Sequence, residues 1–171
     1  MLEPHSLYRK SGPHPGVGTI VWPVALLASL SIVVMAAMTP WLAEGPRAVI
    51  QTAYQTLCHQ RADRSFGVGG AVFAVCHRCF GIYSGIAAGL LALPIVWKFR
   101  NALKRYSLFV LCTAVAPLVF DWGVDVLGLW SNTAVSRFAT GLLAGVAGGC
   151  YLSLAISEGS NPHAEPGPQT E

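Results

Sequence analysis

Four stretches of this chain are long and apolar enough to cross a bilayer, and nothing else in the sequence restricts the fold as strongly. A hydrocarbon core about 30 Å thick asks for roughly 20 consecutive apolar residues in a helix rising about 1.5 Å per residue. The stretches run approximately from Ile20 to Ala43, Cys79 to Trp97, Tyr106 to Leu129 and Thr133 to Ser157. Lipid offers no partners to backbone N–H and C=O groups, so a span must satisfy them internally as a helix. With 53% hydrophobic and 11% charged residues, the composition fits that solvent. The expected architecture is all-α, an integral membrane four-helix bundle embedded in the lipid bilayer. The net charge of +3 is too small and too dispersed to point to nucleic acid.

The first stretch has Pro23 near its start, where a missing N–H is cheap, and it ends near Pro40 and Glu44-Gly45-Pro46. It is long for the apolar region of a cleaved signal, so it reads as a retained anchor. Lys98, Arg100, Lys104 and Arg105 crowd the connection between the second and third stretches, and Arg9 and Lys10 lie in the N-terminal arm. Basic residues favour the cytoplasmic side. The expected topology places the arm, residues 1–19, and a disordered tail, residues 158–171, in the cytoplasm, with the loop of residues 44–78 outside. Pro46 followed by Val49, Ile50, Ala53, Tyr54 and Leu57 at near-helical spacing predicts a short interfacial helix within that loop.

Gly81, Gly85 and Gly89 recur every fourth residue in the second stretch, and Gly141, Gly145 and Gly149 do so in the fourth. Such spacing leaves a bare backbone strip on one helix face, suited to close helix packing or to a homo-oligomer. Each strip follows an arginine, Arg78 or Arg137. This hints at two related hairpins with the second and fourth stretches central.

Asp121 and Asp125 lie four residues apart, on one face of the third stretch. A carboxylate near the bilayer centre costs about 2.5–3.5 kcal/mol on insertion scales, so both need partners or water. Pairing with Arg78 or Arg137 would tie helices together. A catalytic, proton-accepting or ligand-contacting role for Asp121, Asp125, Arg78 or Arg137 is the sharper alternative, and the two are compatible.

Cys58 and His59 lie in the outer loop, and Cys76, His77 and Cys79 open the second stretch. Two cysteines separated by two residues can bind one ion or form one disulfide, and a third can fold back to them. Cys58, Cys76 and Cys79 with His59 or His77 make a plausible zinc or other transition-metal set, with an aspartate or water as the other choices for a fourth ligand. Two competing readings remain open: a disulfide that pins the loop, and a thiol–disulfide oxidoreductase cycling Cys76 and Cys79 with Cys58 as exchange partner. A structural or small-solute transport component is a third class. Cys112 and Cys150 sit among apolar neighbours and read as packing residues. His5, His14 and His163 fall in the chain ends and receive no role.

Cys58-His59-Gln60, then Arg64-Ser65-Phe66, then Cys76-His77-Arg78-Cys79-Phe80-Gly81-Ile82-Tyr83-Ser84-Gly85 resembles the DUF2085 family of small membrane proteins. A looser second block, Asp121, Ser131-Asn132, Arg137 and Thr140-Gly141, is similar to later polar positions of that family. The resemblance implies a multi-pass membrane protein whose Cys, His, Gln, Arg and Asp positions act together, and it implies no particular activity. In architecture alone the chain also looks like the quinone-linked disulfide-forming enzymes. It departs from them at the outer connection Trp130 to Asn132, which lacks their second cysteine pair, so a quinone partner belongs only to the redox reading.

Overall fold

The computed structural model describes residues 17–159. In chain order the elements are α1 (Val17–Met38), α2 (Glu44–Tyr54), strands β1 (Ser65–Val68) and β2 (Ala71–Cys76), α3 (His77–Leu91), α4 (Leu93–Lys98), α5 (Arg100–Arg105), α6 (Ser107–Val126) and α7 (Ala134–Gly159). The expected arm falls outside the described residues as far as residue 16, and the expected tail does so from residue 160.

Among the described residues, three helical segments are long and apolar enough to cross a bilayer: Ile20–Trp41, Ser107–Val126 and Ala134–Glu158. Their outer faces are apolar and uncovered, with Leu27 63% exposed on α1 and Leu108 and Phe120 each 74% exposed on α6. A water-soluble domain does not display such faces. The stretch expected as one span from Cys79 to Trp97 is divided into α3 and α4. Pro94 explains the break, because it brings no N–H and its ring crowds the preceding turn. Ala92 accordingly leaves helical geometry, at φ −75° and ψ 9°. Hydrogen bonds from Ala92 N to Ala88 O (3.0 Å) and from Val96 N to Ala92 O (2.9 Å) carry the chain across, so the segment bends without stopping.

The all-α expectation needs a second correction, since β1 and β2 form an antiparallel hairpin within the loop of residues 44–78. Its turn is Gly69-Gly70, with φ of +60° and +82°, the left-handed pair that a two-residue hairpin demands. An irregularity in the register between Ser65 and Gly67 falls at Phe66. The Phe66 ring packs on Phe73 (5.8 Å between centroids), Phe80 (6.0 Å) and Phe138 (6.0 Å), which fastens the hairpin to α3 and α7.

The helix expected from the spacing of Val49 to Leu57 is α2. Arg47 on it donates to the carbonyls of Thr39 (3.2 Å) and Leu42 (2.8 Å), acceptors exposed where the first helix unwinds. At the other end of α2, Tyr54 donates to Ile32 O (2.6 Å). Ala36, Tyr54, Cys58, Ala74 and Val75 form one buried cluster joining α1, α2 and β2. Because Trp22 bonds Leu90 O (3.2 Å) and Thr39 bonds Val72 O (3.1 Å), α1 runs antiparallel to α3.

The two glycine strips meet each other. A methyl added at Gly85 would lie 2.7 Å from Val146 N, and one at Gly89 2.6 Å from Val146 O. The contacts are reciprocal: Gly81, Gly85 and Gly89 face the carbonyls of Phe138, Leu142 and Val146, while Gly141, Gly145 and Gly149 face those of Arg78, Ile82 and Ile86. Every carbonyl in both sets stands three residues before a glycine of its own helix. The helices are therefore parallel and locally related by a pseudo-two-fold axis, and all six glycines are used within the chain. Ser153 reinforces the seam by donating to Gly89 O (3.3 Å). Lys104 pairs with Glu158, which puts the basic α5 at the end of α7 remote from the hairpin.

Candidate metal centre

Cys58 is set by the exit from α2. Its N–H bonds Tyr54 O (2.9 Å), closing the last turn, and its side chain is buried in the cluster around Tyr54. The chain then reverses at Gln60, a non-glycine residue with φ +48°. Such a backbone costs about 1–3 kcal/mol unless its surroundings hold it. The Gln60 side-chain amide supplies the hold by donating to Gln51 O on α2 (2.6 Å). The consequence for the site is direct, because the Gln60 N–H points at Cys58 Sγ (3.5 Å).

Cys76 ends β2 and precedes α3, and its N–H also donates to Cys58 Sγ (3.3 Å). Cys79 lies in the first turn of α3. The three Sγ atoms, from an α2 exit, a strand end and a helix start, all lie within 4.8 Å of one another. Hydrogen bonds from the Cys76 and Cys79 thiols, aided by the two backbone N–H donors, hold the Cys58 thiol far below its ordinary pKa. This is the environment of a thiolate.

Of the two expected histidines, His59 is exposed and lines the same cavity as the thiols without joining their cluster. His77 is buried and turns away, its ring edge-on to Phe66 at 4.3 Å. Its Nδ1 has no hydrogen-bond partner.

The four charged candidates assemble beside the thiols. Arg78 on α3 pairs with Asp121 on α6, and Asn132 caps the same turn by donating to Asp121 O. Arg137 on α7 donates to Asp125 Oδ1 (3.3 Å), and Arg64, from the loop before β1, donates to Asp125 Oδ2 (3.0 Å). Thr133 caps the start of α7, accepting from Ser136 N (3.1 Å), and so orients Arg137 in the next turn. Arg64, Gln60 and Arg61 were absent from the expected site. Arg64 and Gln60 stand in the motif blocks that carry the family resemblance, which was the available signal. Cys58, Cys76, Cys79, Arg64, Arg78 and Arg137 all line one cavity of about 400 Å³. Cys112 and Cys150 lie elsewhere, in α6 and α7.

A family model described as predicted membrane protein (DUF2085) matches residues 58–151, and the chain belongs to that family. An uncharacterized protein of Methanocaldococcus jannaschii is 35% identical over 96 residues, 56% of this chain and 61% of that relative, so the match spans under two thirds of its length. An uncharacterized protein of Methanothermobacter thermautotrophicus is 34% identical over 94 residues, 54% of this chain and 81% of the relative. No solved structure matches the chain. The matched segment begins at Cys58 and contains all three thiols and both aspartates.

Proposed function

We propose that this DUF2085 protein holds one zinc ion on Cys58, Cys76 and Cys79 at the outer mouth of a four-span bundle, above a buried Asp–Arg cluster. The observation that carries the reading is the convergence of three Sγ atoms within 4.8 Å. A tetrahedral site with Zn–S bonds of about 2.3 Å needs its sulfurs roughly 3.8 Å apart, so the thiols require only a slight contraction. The depressed pKa of Cys58 favours the deprotonated ligand a metal needs. His59 is our choice for a fourth protein ligand, since it lines the cavity with the thiols. A water or anion there would leave the ion open for chemistry.

The fourth span of this reading is α3 with α4, which bend at Ala92 but continue in one direction along α7. The hydrophobic seam with α7 supports its burial in the bundle. Basic α5, with Arg100 over Trp97 (4.5 Å) and Arg105 over Tyr106 (5.7 Å), supports a cytoplasmic end, because such pairs sit well at a membrane surface. That leaves the thiols outside, both chain ends cytoplasmic, and α2 lying along the outer interface.

The competing reading is redox: two of the thiols would join as a disulfide, passing two electrons and two protons to a quinone. The mutual closeness of the sulfurs also suits it. Metal content and free-thiol count on the full chain, purified in detergent without chelator, separate the two. The expected result is one zinc per chain, with three thiols protected from alkylation until a chelator is added. Reduced, freely reactive thiols without stoichiometric metal would defeat the zinc reading, and two missing thiols without metal would favour the disulfide.

A further inference from the structure

Four arginines, Arg61, Arg64, Arg78 and Arg137, line the cavity beside the thiols, and among its described lining residues there is no carboxylate. Asp121 holds Arg78, Asp125 holds Arg64 and Arg137, and Asp63 pairs with Arg61 and Arg64, none of the three aspartates lining the cavity. Each guanidinium has five N–H donors in a planar fork. The hydrogen bonds of Arg64, Arg78 and Arg137 to the aspartates engage one terminal nitrogen apiece. The Nε atoms of all three are buried without a hydrogen-bond partner. Arg78 and Arg137 are themselves largely buried, with 16% and 11% of their side chains exposed.

A buried donor left unpaired costs about 1–3 kcal/mol, and more when it is charged. Arg64 Nε keeps only a long ion-pair contact to Asp63 Oδ2 (3.6 Å), and the Nε donors of Arg78 and Arg137 have none, which exceeds what tying helices together requires. The rest of the lining is Leu57, Ile82, His59 and the three thiols. The three guanidiniums come from three separate elements, and such a set surrounds a tetrahedral oxyanion better than a flat carboxylate.

We propose that this cavity binds a phosphate-class oxyanion through Arg64, Arg78 and Arg137, supplied either as the free ion or as the headgroup of an anionic lipid. The aspartates then act as positioning residues that aim the forks. The inference goes beyond the zinc reading and stands without it, because the arginine wall exists whether or not the thiols hold metal.

The test titrates inorganic phosphate into the full chain in neutral detergent, reading heat and Tm, with chloride at equal ionic strength as the control. In parallel, nanodiscs of phosphatidylglycerol and of phosphatidylcholine are compared for Tm and for lipid retained after extraction. Arg64→Gln is the chief variant, since Arg64 is the most exposed of the three at 32% and tolerates change best. Saturable phosphate binding beyond the chloride effect, weakened at least tenfold in Arg64→Gln and less in Arg64→Lys, supports a free-ion ligand. One phosphatidylglycerol retained per chain, and lost in Arg64→Gln, supports the lipid source. A phosphate response equal to that of chloride, together with no preference between lipids, overturns the proposal. So does binding that both Arg64 variants leave intact. Zinc content is measured on the same samples: an unaltered chain that holds zinc but binds neither phosphate nor lipid defeats the oxyanion proposal alone, one that binds oxyanion without zinc defeats the zinc reading alone, and Arg64→Gln should keep its zinc.

Discussion

Replacing Gly81 by alanine tests how the site depends on the seam beneath it. The new methyl would fall on the carbonyl of Phe138, 2.9 Å from Leu142 N and 3.2 Å from Phe138 C. Ordinary contact begins near 3.4 Å and the Phe138 carbonyl oxygen lies far inside it, so α3 and α7 must part by about 1 Å at the level of Arg78 and Cys79. Overpacking of this kind costs about 1–3 kcal/mol. Alanine also gains about 1 kcal/mol over glycine in a helix, which masks part of that loss. Gly148→Ala removes the ambiguity, because Gly148 has nothing within 4 Å and takes only the gain. Unfolding both variants by SDS titration in mixed micelles should therefore place Gly81→Ala about 1–3 kcal/mol below Gly148→Ala. Zinc should also leave Gly81→Ala more readily in a chelator competition, since Cys79 moves with α3. Equal stability of the two variants would refute the close parallel seam, and an unchanged zinc off-rate at reduced stability would refute its coupling to the thiols.

Cys58→Ser should reduce zinc to well below one per chain while Cys112→Ser leaves it unchanged; equal metal in both would remove Cys58 from the ligand set. Asp125→Asn strips the carboxylate from Arg64 and Arg137 together, and breaking a buried pair costs about 3–5 kcal/mol, a range that partial exposure of Arg64 lowers. Destabilisation by Arg64→Gln should be smaller, and a larger effect there would contradict the burial order. Gly70→Ala strains a turn position at φ +82°, so the hairpin should loosen by about 1 kcal/mol and expose Phe66 to proteolysis or hydrogen exchange. For topology, Asp63→Cys should react with an impermeant maleimide added outside, and Asn101→Cys only after permeabilisation; the opposite pattern would invert the orientation.

The long helices were legible because lipid demands length and apolarity, and both are visible in a linear chain. The seam was legible for a similar reason: a spacing of four is the period of one helix face, and Gly81 to Gly89 and Gly141 to Gly149 display it twice. Pro94 also stood in view, but hydropathy ignores backbone donors, so the bend between α3 and α4 was hidden inside a uniformly apolar stretch. The hairpin was missed despite Gly69-Gly70, the strongest local turn signal in the loop, because Val72 to Val75 runs apolar on both faces and merges with the following helix. The thiol set was readable as residue types, and its choice between histidines was not. His77 is adjacent to Cys76, yet the first turn of α3 sends it to Phe66 on the opposite side. Arg64 could be placed only by the fold, since its partner Asp125 comes from a helix far along the chain.

The pseudo-symmetry of the seam locates what is special about this chain. Alignment of α3 with α7 by their glycines sets Arg78 against Phe138 and Ser136 against Cys76, so the scaffold repeats while the chemistry does not. The difference originates upstream of each helix. Before α7 there is only a short turn through Trp130 and Asn132, whereas α3 is preceded by α2, the reversal at Gln60 and the hairpin. That insertion delivers Cys58 from one side and Arg64 from the other, and neither has a counterpart in the second half. Rigid parallel helices fix Cys79, Arg78 and Arg137 relative to one another, while the insertion is held over them by Phe66 against Phe80 and Phe138 and by the buried cluster of Tyr54, Cys58 and Val75 with Ala36. A ligand held by Arg64 on the insertion and by Arg78 and Arg137 on the helices would bridge the two parts. It would thereby draw Cys58 toward Cys76 and Cys79, so oxyanion and metal should each tighten the binding of the other, by the same factor in both directions.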